Sequence, residues 1–264
     1  MARVTVAADV AALAASAAAR IAALLTDALT RRPDARLCLT GGRTARTLYQ
    51  QLARACAPGA ARAIDLHRVR FFWGDERHVP PDHADSNFGM AAEALLRPCG
   101  VPEDRVHRMR GDLADAAEAA ADYDALLRRH LRRGEPLFDV MLLGLGEDAH
   151  IASIFPGSPL LTGTAAAAAT EADEPGDPGE RSPLAAAVWA PHLDAWRITL
   201  TPKAVLNASA IVVVTDGATK AAAVHAALQD ADDRSRVPAQ LLRSAGERVE
   251  WWLDREAAAR LPRQ

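Results

Sequence analysis

Short runs of apolar and β-branched residues alternate along the chain with longer segments that have the apolar spacing of helices. The pattern predicts strands at Arg3 to Ala7, Leu37 to Thr40, Val69 to Trp73, Val140 to Leu143, Arg197 to Thr199, Ile211 to Thr215 and Glu250 to Leu253. It predicts helices from about residue 10, and at Thr44 to Ala55, Ser86 to Leu96, Asp115 to Arg132 and Thr219 to Leu228. This alternation is typical of an α/β fold, with a mostly parallel sheet and helices on both faces.

No composition break divides the chain, so we expect residues 1–264 to form a single α/β domain. Residues 161–186 differ from their surroundings, because an alanine block is followed there by an acidic stretch rich in proline and glycine. We interpret this segment as a surface loop rather than a domain linker, since predicted strands continue beyond it.

Composition limits the classes of partner and the compartment. Half of the 264 residues are hydrophobic and the net charge is -3, which favours neither nucleic acid nor an anionic membrane surface as a partner. The cysteines Cys38, Cys56 and Cys99 lack disulfide or metal spacing, which indicates a reduced, cytoplasmic location. Asp9 and Arg20 bracket the alanine-rich N-terminal run, so we predict a strand and a surface helix there rather than a signal peptide. We expect no segment long enough to span a membrane.

The first candidate site is the turn Thr40-Gly41-Gly42-Arg43-Thr44, between a predicted strand and a predicted helix. Two glycines allow a tight turn and close approach of a ligand, and amides at a helix start attract anions. Arg43 and the Thr44 hydroxyl can add charge-assisted hydrogen bonds. The alternative is an ordinary strand-helix turn in which Thr44 caps the helix.

A second candidate follows the strand that ends at Trp73, where Asp75, Glu76 and Arg77 stand together. In an extended chain Asp75 and Arg77 point the same way, and we predict a ligand role for Arg77. The segment starting at Ser86-Asn87 begins a helix that can order this loop. The alternative is a solvated loop.

The third candidate is Lys220, one of only two lysines among 31 basic residues. It lies in the turn 215–220, in the first turn of the predicted helix, where the helix dipole disfavours a cation. A bound phosphate between the lysine and the helix start would remove that penalty. The alternative is a solvated surface lysine.

The fourth candidate joins an acid and an imidazole, Asp148 and His150, in the glycine turn that follows the strand ending at Leu143. Ligands of α/β proteins bind at the carboxyl ends of strands, so we predict a catalytic loop. Residues 144–149 also match the G-x-G-x-x-A pattern for dinucleotides, which we reject because Pro156 leaves little room for a helix and two acids would repel a pyrophosphate. The histidines at 67, 78, 83 and 107 are expected in loops, and no zinc set is predicted.

Together these motifs resemble those of the 6-phosphogluconolactonases, in the glucosamine-6-phosphate isomerase/6-phosphogluconolactonase superfamily. The matching pieces, in chain order, are residues 40–44, 73–77 with 86–89, 144–156, 197–201 and 217–221. The resemblance spans roughly residues 35–245. It implies a Rossmann-like α/β fold and metal-free, cofactor-free hydrolysis of 6-phospho-D-glucono-1,5-lactone in the cytoplasmic pentose phosphate pathway.

The resemblance also implies roles for individual residues. It makes His150 the base and assigns the phosphate to the glycine turn with Arg77 and Lys220. We expect Asp148 to orient His150 or the water, and Asp75 to bind sugar hydroxyls. The family usually has glycine at the position of Ala149, so a positive φ there would cost about 1 kcal/mol or more. It also often has proline at the position of Ala45, a change that costs little.

Two alternatives remain at this point. Glucosamine-6-phosphate deaminases share the scaffold, but they carry a glutamate where this chain has Phe155. A non-catalytic sugar-phosphate sensor is the second alternative, although such modules usually come with a DNA-binding segment. We expect a small-molecule sugar phosphate as the partner and a monomer or weak homo-oligomer, while the preferred lactone ring size stays open.

Overall fold

Two sheets organise the molecule, for which the computed structural model describes residues 2–55, 64–132, 134–161 and 182–262. Among these residues, six parallel strands form the larger sheet in the order β1-β9-β8-β5-β2-β3. Its strands are β1 (Arg3–Ala7), β2 (Ala35–Leu39), β3 (Val69–Trp73), β5 (Phe138–Leu143), β8 (Ala208–Thr215) and β9 (Val249–Asp254). Every strand predicted for a parallel sheet is confirmed except Arg197 to Thr199, which lies in the second sheet.

The burial of its central strands shows that the larger sheet is covered on both faces. Every residue of β2 and of β5 is buried. Because successive side chains of a strand point to opposite faces, complete burial requires packing on both. The Rossmann-like α/β class predicted from the sequence is therefore confirmed.

The helices begin and end close to the predicted positions, except for a short helix at Pro202–Leu206 that was not predicted. They are α1 (Val10–Arg31), α2 (Arg43–Ala55), α3 (Asn87–Ala91, continued by a π-helical turn over Ala92–Leu96), α4 (Ala116–His130), α5 (Pro202–Leu206) and α6 (Ala221–Leu228). Side chains of Asp9, Ser86, Asp115 and Thr201 accept backbone N–H bonds at the starts of α1, α3, α4 and α5. These caps satisfy donors that a helix start leaves unpaired, which explains why short polar residues mark the boundaries.

A second, antiparallel sheet was not predicted. It contains β4 (Asp75–Arg77), β7 (Ala195–Leu200) and β6 (Ala185–Ala190), in the order β4-β7-β6. Gly74 is the crossing point, because its N–H donates to Leu39 O at 2.8 Å and its carbonyl accepts from Leu200 N at 2.8 Å. The chain therefore leaves the parallel sheet at Gly74 and pairs at once with β7.

The loop prediction for residues 161–186 is only partly covered by the structure. Residues 162–181 lie outside the described residues. The predicted loop nevertheless ends too late, since β6 already begins at Ala185. Four of the six residues of β6 are alanine, which is depleted in strands, and only Val188 and Trp189 give the usual strand signal.

Helix α1 requires a correction. By length and composition it is apolar enough to cross a membrane, so the expectation that no segment has this property is wrong. Eight of its residues are buried, and it packs on α2 and on the sheet. The core helix of a globular protein passes the same test.

His107 lies in a loop, as predicted, and its partly buried ring packs against other rings. The ring stacks on Phe72 with centroids 4.8 Å apart and contacts His130 at 4.3 Å. Burial is the main cause that lowers the pKa of His107 to about 4, and the nearby charges of His130 and Arg70 act in the same direction. The folded protein thus prefers a neutral imidazole at this position.

We expect His107 to make the protein less stable in mild acid. An unfolded chain binds this proton near the ordinary histidine pKa of 6.5 and the folded chain only near 4, so stability falls as the pH drops through that window. Urea unfolding of His107→Phe should show a smaller loss between these two pH values than the wild type. His83→Asn, which replaces an exposed histidine, is the control. An unchanged pH dependence in His107→Phe would contradict this role of the buried imidazole.

Candidate active site

The predicted site residues meet at the carboxyl ends of the parallel strands. A cavity of about 200 Å³ is lined by Gly41, Gly42, Asp75, Arg77, His150 and Lys220 from the predicted set. An adjoining cavity of about 460 Å³ shares both glycines and Lys220 and adds Arg43 and Thr44. A larger groove beside β1 contains none of these groups. Four distant turns therefore build one continuous site, where α/β sheets bind ligands.

His150 and Asp148 form a hydrogen-bonded pair. The His150 Nδ1 lies 2.6 Å from Asp148 Oδ1, and the His150 backbone N–H donates to the same oxygen at 3.2 Å. An ionised carboxylate can only accept, so Nδ1 carries the proton and Nε2 is left as the basic nitrogen. Aspartate commonly fixes a catalytic histidine in this way.

The electrostatics keep the aspartate ionised. Burial raises the pKa of Asp148, but the hydrogen bond and charge of His150 outweigh it and the pKa settles at about 2. Asp148 is therefore a fixed negative charge at neutral pH. Such a charge stabilises an imidazolium that forms on His150 during a reaction.

Gly146 allows the imidazole to take its place. A Cβ at this position would overlap the His150 ring and the Asp148 carboxylate. The turn is closed by Gly146 N–H donating to His150 O at 2.9 Å and by Ala149 N–H donating to Gly146 O at 3.1 Å. Glycine is thus required at position 146 because the side chains of His150 and Asp148 lie too close for a Cβ, and not because of an unusual backbone angle.

Ala149 has φ 64, so the strain expected from the missing glycine is present. A left-handed conformation costs an L-residue about 1–2 kcal/mol. The residue is buried, and its carbonyl accepts from Ala239 N at 3.1 Å. These contacts hold the strained turn, and the functional groups of Asp148 and His150 keep their pairing.

Asp75 is buried against the same loop. Its Oδ2 accepts from Ser153 Oγ at 2.6 Å, and its Oδ1 from Asn87 Nδ2 at 3.4 Å. Asp75 is only 8% exposed, yet it lines the cavity with His150. Ser153 and Asn87 were not predicted as site residues. The sequence feature that could have indicated them is their position close to the motifs of His150 and Asp75.

Glu76 orders the loop on the other side of Asp75. Its carboxylate accepts from the backbone N–H of Asn87 at 2.7 Å, of Phe88 at 2.8 Å and of Arg77 at 2.8 Å. Burial raises the pKa of Glu76, while these hydrogen bonds lower it. Because Glu76 bonds to the start of α3, it places Asn87 beside Asp75, as the predicted ordering role of this helix requires.

Two arginines face each other across the antiparallel sheet. Arg77 and Arg197 are paired in register on β4 and β7, and the Arg77 guanidinium donates to Asp85 O. Burial lowers the pKa of Arg197, and the charge of Arg77 adds to this effect. Sequence reasoning did not select Arg197, although it begins one of the matching motifs. Two like charges held together provide a strong attraction for an anion.

The first glycine turn is shaped by both of its glycines. A Cβ on Gly41 would overlap the Asn87 side chain, and Gly42 has φ 99. The Thr44 hydroxyl donates to the Asp216 carboxylate. Its single proton is thus engaged, and any anion at this turn receives its bonds from backbone amides and Arg43.

The turn that carries Lys220 is held in place by Asp254 of β9. Gly217 has φ 91, and its N–H donates to both carboxylate oxygens of Asp254, at 3.1 and 3.2 Å. Lys220 stands at the start of α6, as predicted, and lines both cavities. The lysine is therefore placed between the glycine turn and His150.

Comparison with known proteins identifies the family of the chain. Residues 8–251 match the family described as glucosamine-6-phosphate isomerases/6-phosphogluconolactonase. The chain is 35% identical over 260 residues to the 6-phosphogluconolactonase of Mycobacterium tuberculosis, covering 95% of this chain and 94% of that protein. It is 32% identical over 240 residues to that of Synechocystis sp., covering 90% and 89%.

Solved structures extend the similarity to the fold. The 6-phosphogluconolactonase of Trypanosoma brucei has a TM-score of 0.80 and 29% identity, covering 99% of each chain. The family match covers most of the sequence and includes all four turns of the site. The chain therefore belongs to the glucosamine-6-phosphate isomerase/6-phosphogluconolactonase family.

Proposed function

We propose that this protein hydrolyses 6-phospho-D-glucono-1,5-lactone to 6-phosphogluconate, with His150 as the general base. The observation that carries the proposal is that His150, paired with Asp148, lines a small cavity together with Asp75, Arg77 and Lys220. The relatives named 6-phosphogluconolactonase support it.

The chemistry needs one well-placed base. His150 Nε2 takes a proton from water as the water oxygen attacks C1, and the carbonyl oxygen becomes an oxyanion. The imidazolium then gives its proton to the ring oxygen as the C1–O bond breaks. Asp148 stabilises the imidazolium in between. A base of this kind contributes about 10²–10⁴-fold to the rate. The reaction requires no cofactor, because the lactone carbonyl is already electrophilic.

The phosphate is proposed to bind between the glycine turn and the cations. Gly41, Gly42 and Arg43 offer backbone amides at the start of α2, and Lys220 lies on the opposite side. Arg77 and Arg197 add positive charge from the antiparallel sheet. The phosphate does not react, so its binding energy serves to hold C1 against His150.

The cellular role is a proposal as well. We propose that the protein acts in the cytoplasm, in the pentose phosphate pathway, as a single domain. We propose a monomer or weak homo-oligomer that engages neither nucleic acid nor membranes.

Two other functions are distinguishable. A deaminase of the same family would release ammonia from glucosamine 6-phosphate, but Phe155 packs on the His150 ring at 4.7 Å where a carboxylate would be needed. A sensor would bind the sugar phosphate without turnover.

His150→Ala should lower kcat about 10²–10⁴-fold with little change in KM, since the base is lost and the phosphate site is not. The assay generates fresh lactone with glucose-6-phosphate dehydrogenase and reads the acid with 6-phosphogluconate dehydrogenase, against the no-enzyme rate. His67→Ala, on an exposed turn, is the control. Full turnover in His150→Ala would refute the mechanism, and wild-type turnover no faster than the blank would refute the function.

Lys220→Ala should mainly raise KM, by roughly 10- to 150-fold, because a hydrogen bond to a charged group contributes about 1.5–3 kcal/mol. The same coupled assay measures it. Lys203→Ala is a matched control, since Lys203 is on α5 and lines neither cavity. Equal KM values in the two variants would exclude Lys220 from the phosphate site.

Gly146→Ala should leave the protein folded but displace the His150 ring, and kcat should fall by about 10²-fold or more. Gly144→Ala is the comparison variant in the same turn, because its Cβ would meet no protein atom within 4 Å; since Gly144 lines both cavities, the two variants are compared by kcat and not by KM. Circular dichroism checks folding, and the coupled assay checks turnover. A Gly146→Ala enzyme as active as Gly144→Ala would contradict the steric requirement.

A further inference from the structure

Carboxylates occur at both ends of the proposed site. At the His150 end, Asp75 lines the cavity and Asp148 is bonded to His150. The adjoining cavity is lined by Arg43 and Lys220, and also by the carboxylates of Asp216 and Glu256. In the proposed complex the phosphate lies at the glycine turn and C1 lies beside His150, so the carboxylates near His150 are the ones that face the reacting end of the ligand.

Substrate and product of the proposed reaction differ in charge at one end only. Water adds to C1, the bond from C1 to the ring oxygen breaks, and the resulting acid loses its proton to solvent. The neutral acyl group becomes a carboxylate, while the phosphate is unchanged. The new negative charge therefore arises in the cavity that holds Asp75.

We propose that Asp75 is a specificity-determining residue whose buried carboxylate favours the neutral lactone and repels the carboxylate product. The inference rests on the proposed function and adds a role for Asp75 beyond contacts with sugar hydroxyls. It explains how a site built to bind a phosphorylated sugar releases a product that carries the same phosphate.

Burial selects Asp75 over Asp148 for this role. The Asp148 side chain is 41% exposed, so water screens its charge. Asp75 is 8% exposed, and its hydrogen-bond donors, Ser153 Oγ and Asn87 Nδ2, are uncharged. These donors stabilise the carboxylate but leave its charge in place. Repulsion between like charges at a few ångströms is much stronger inside a protein than in water.

The cations of the site do not cancel this repulsion. Arg77 and Lys220 line the cavity, but in the proposed complex both face the phosphate dianion. Arg197 lies within electrostatic range of Asp75 and of Arg77, but it lines neither cavity. A product carboxylate near His150 therefore meets Asp75 without a free counter-charge.

Two ligands of equal length isolate the effect. 6-Phosphogluconate carries a carboxylate at C1, and glucitol 6-phosphate carries an uncharged hydroxyl there. Titration calorimetry at about pH 8 measures both dissociation constants. We expect the wild type to bind glucitol 6-phosphate more tightly than 6-phosphogluconate. Asp75→Asn should lower the dissociation constant of 6-phosphogluconate by at least about tenfold and leave that of glucitol 6-phosphate nearly unchanged.

Asp216→Asn is the matched control, because Asp216 is a carboxylate in the adjoining cavity, beside Thr44. Its removal should affect both phosphorylated ligands by a similar factor and preserve their ratio. If Asp75→Asn does not fold, Asp148→Asn provides the second arm, with the same direction and a smaller change.

The outcomes separate this inference from the proposed function. If both ligands bind but their ratio is the same in the wild type and Asp75→Asn, only the role of Asp75 is wrong. If the wild-type protein binds 6-phosphogluconate as tightly as glucitol 6-phosphate, the proposed role of Asp75 is likewise wrong. If neither ligand binds, the proposed function fails with it. A ratio that shifts in Asp75→Asn and not in Asp216→Asn supports the inference.

Discussion

The buried carboxylate of Asp75 holds the site together. It accepts from Ser153, which lies on the same loop as His150, and from Asn87, which stands at the start of α3. Its own strand, β4, pairs with β7 and so with Arg197. The Asp75 side chain thus links the start of α3 to the loop of His150, and the backbone pairing of its strand adds β7. A buried charge is tolerated only when donors surround it, so these contacts are also conditions for the fold.

Gly74 makes this arrangement possible. The parallel strands β2, β5 and β8 end at a common edge. The ends of these strands alone do not enclose a cavity. By bonding to Leu39 on one side and Leu200 on the other, Gly74 turns the chain into a second sheet that walls the cavity. The antiparallel sheet then contributes Asp75 and Arg77, while turns that follow strands of the parallel sheet contribute His150 and Lys220. The site is a joint product of both sheets.

Local strain and close approach are concentrated around the imidazole. Ala149 and Ala152 both have positive φ, and Gly146 has no room for a side chain. Strained backbone persists only where its surroundings fix it, and it is frequent at functional sites. Here the loop is held by the hydrogen bond between Asp148 and His150, by the Ser153 N–H that donates to Thr199, and by the Ala239 N–H that donates to Ala149.

Local patterns along the chain were enough to predict the parallel sheet, because fully buried strands such as β2 and β5 are continuous apolar runs bounded by turn residues. They were also enough to select the turns that line the cavity, since the glycine pair at 41–42, His150 and Lys220 follow closely after those strands.

The antiparallel sheet, in contrast, became visible only in the folded molecule. Strand β6 is mostly alanine, which packs in a strand without a recognisable strand pattern, and β4 is three charged residues paired with a strand more than a hundred positions away. Two further contacts between distant residues appear only in the folded molecule. The Thr44 hydroxyl donates to Asp216, and Arg197 lies beside Arg77. Such pairings depend on the register between distant segments, and a short charged strand such as β4 has no apolar pattern to specify that register.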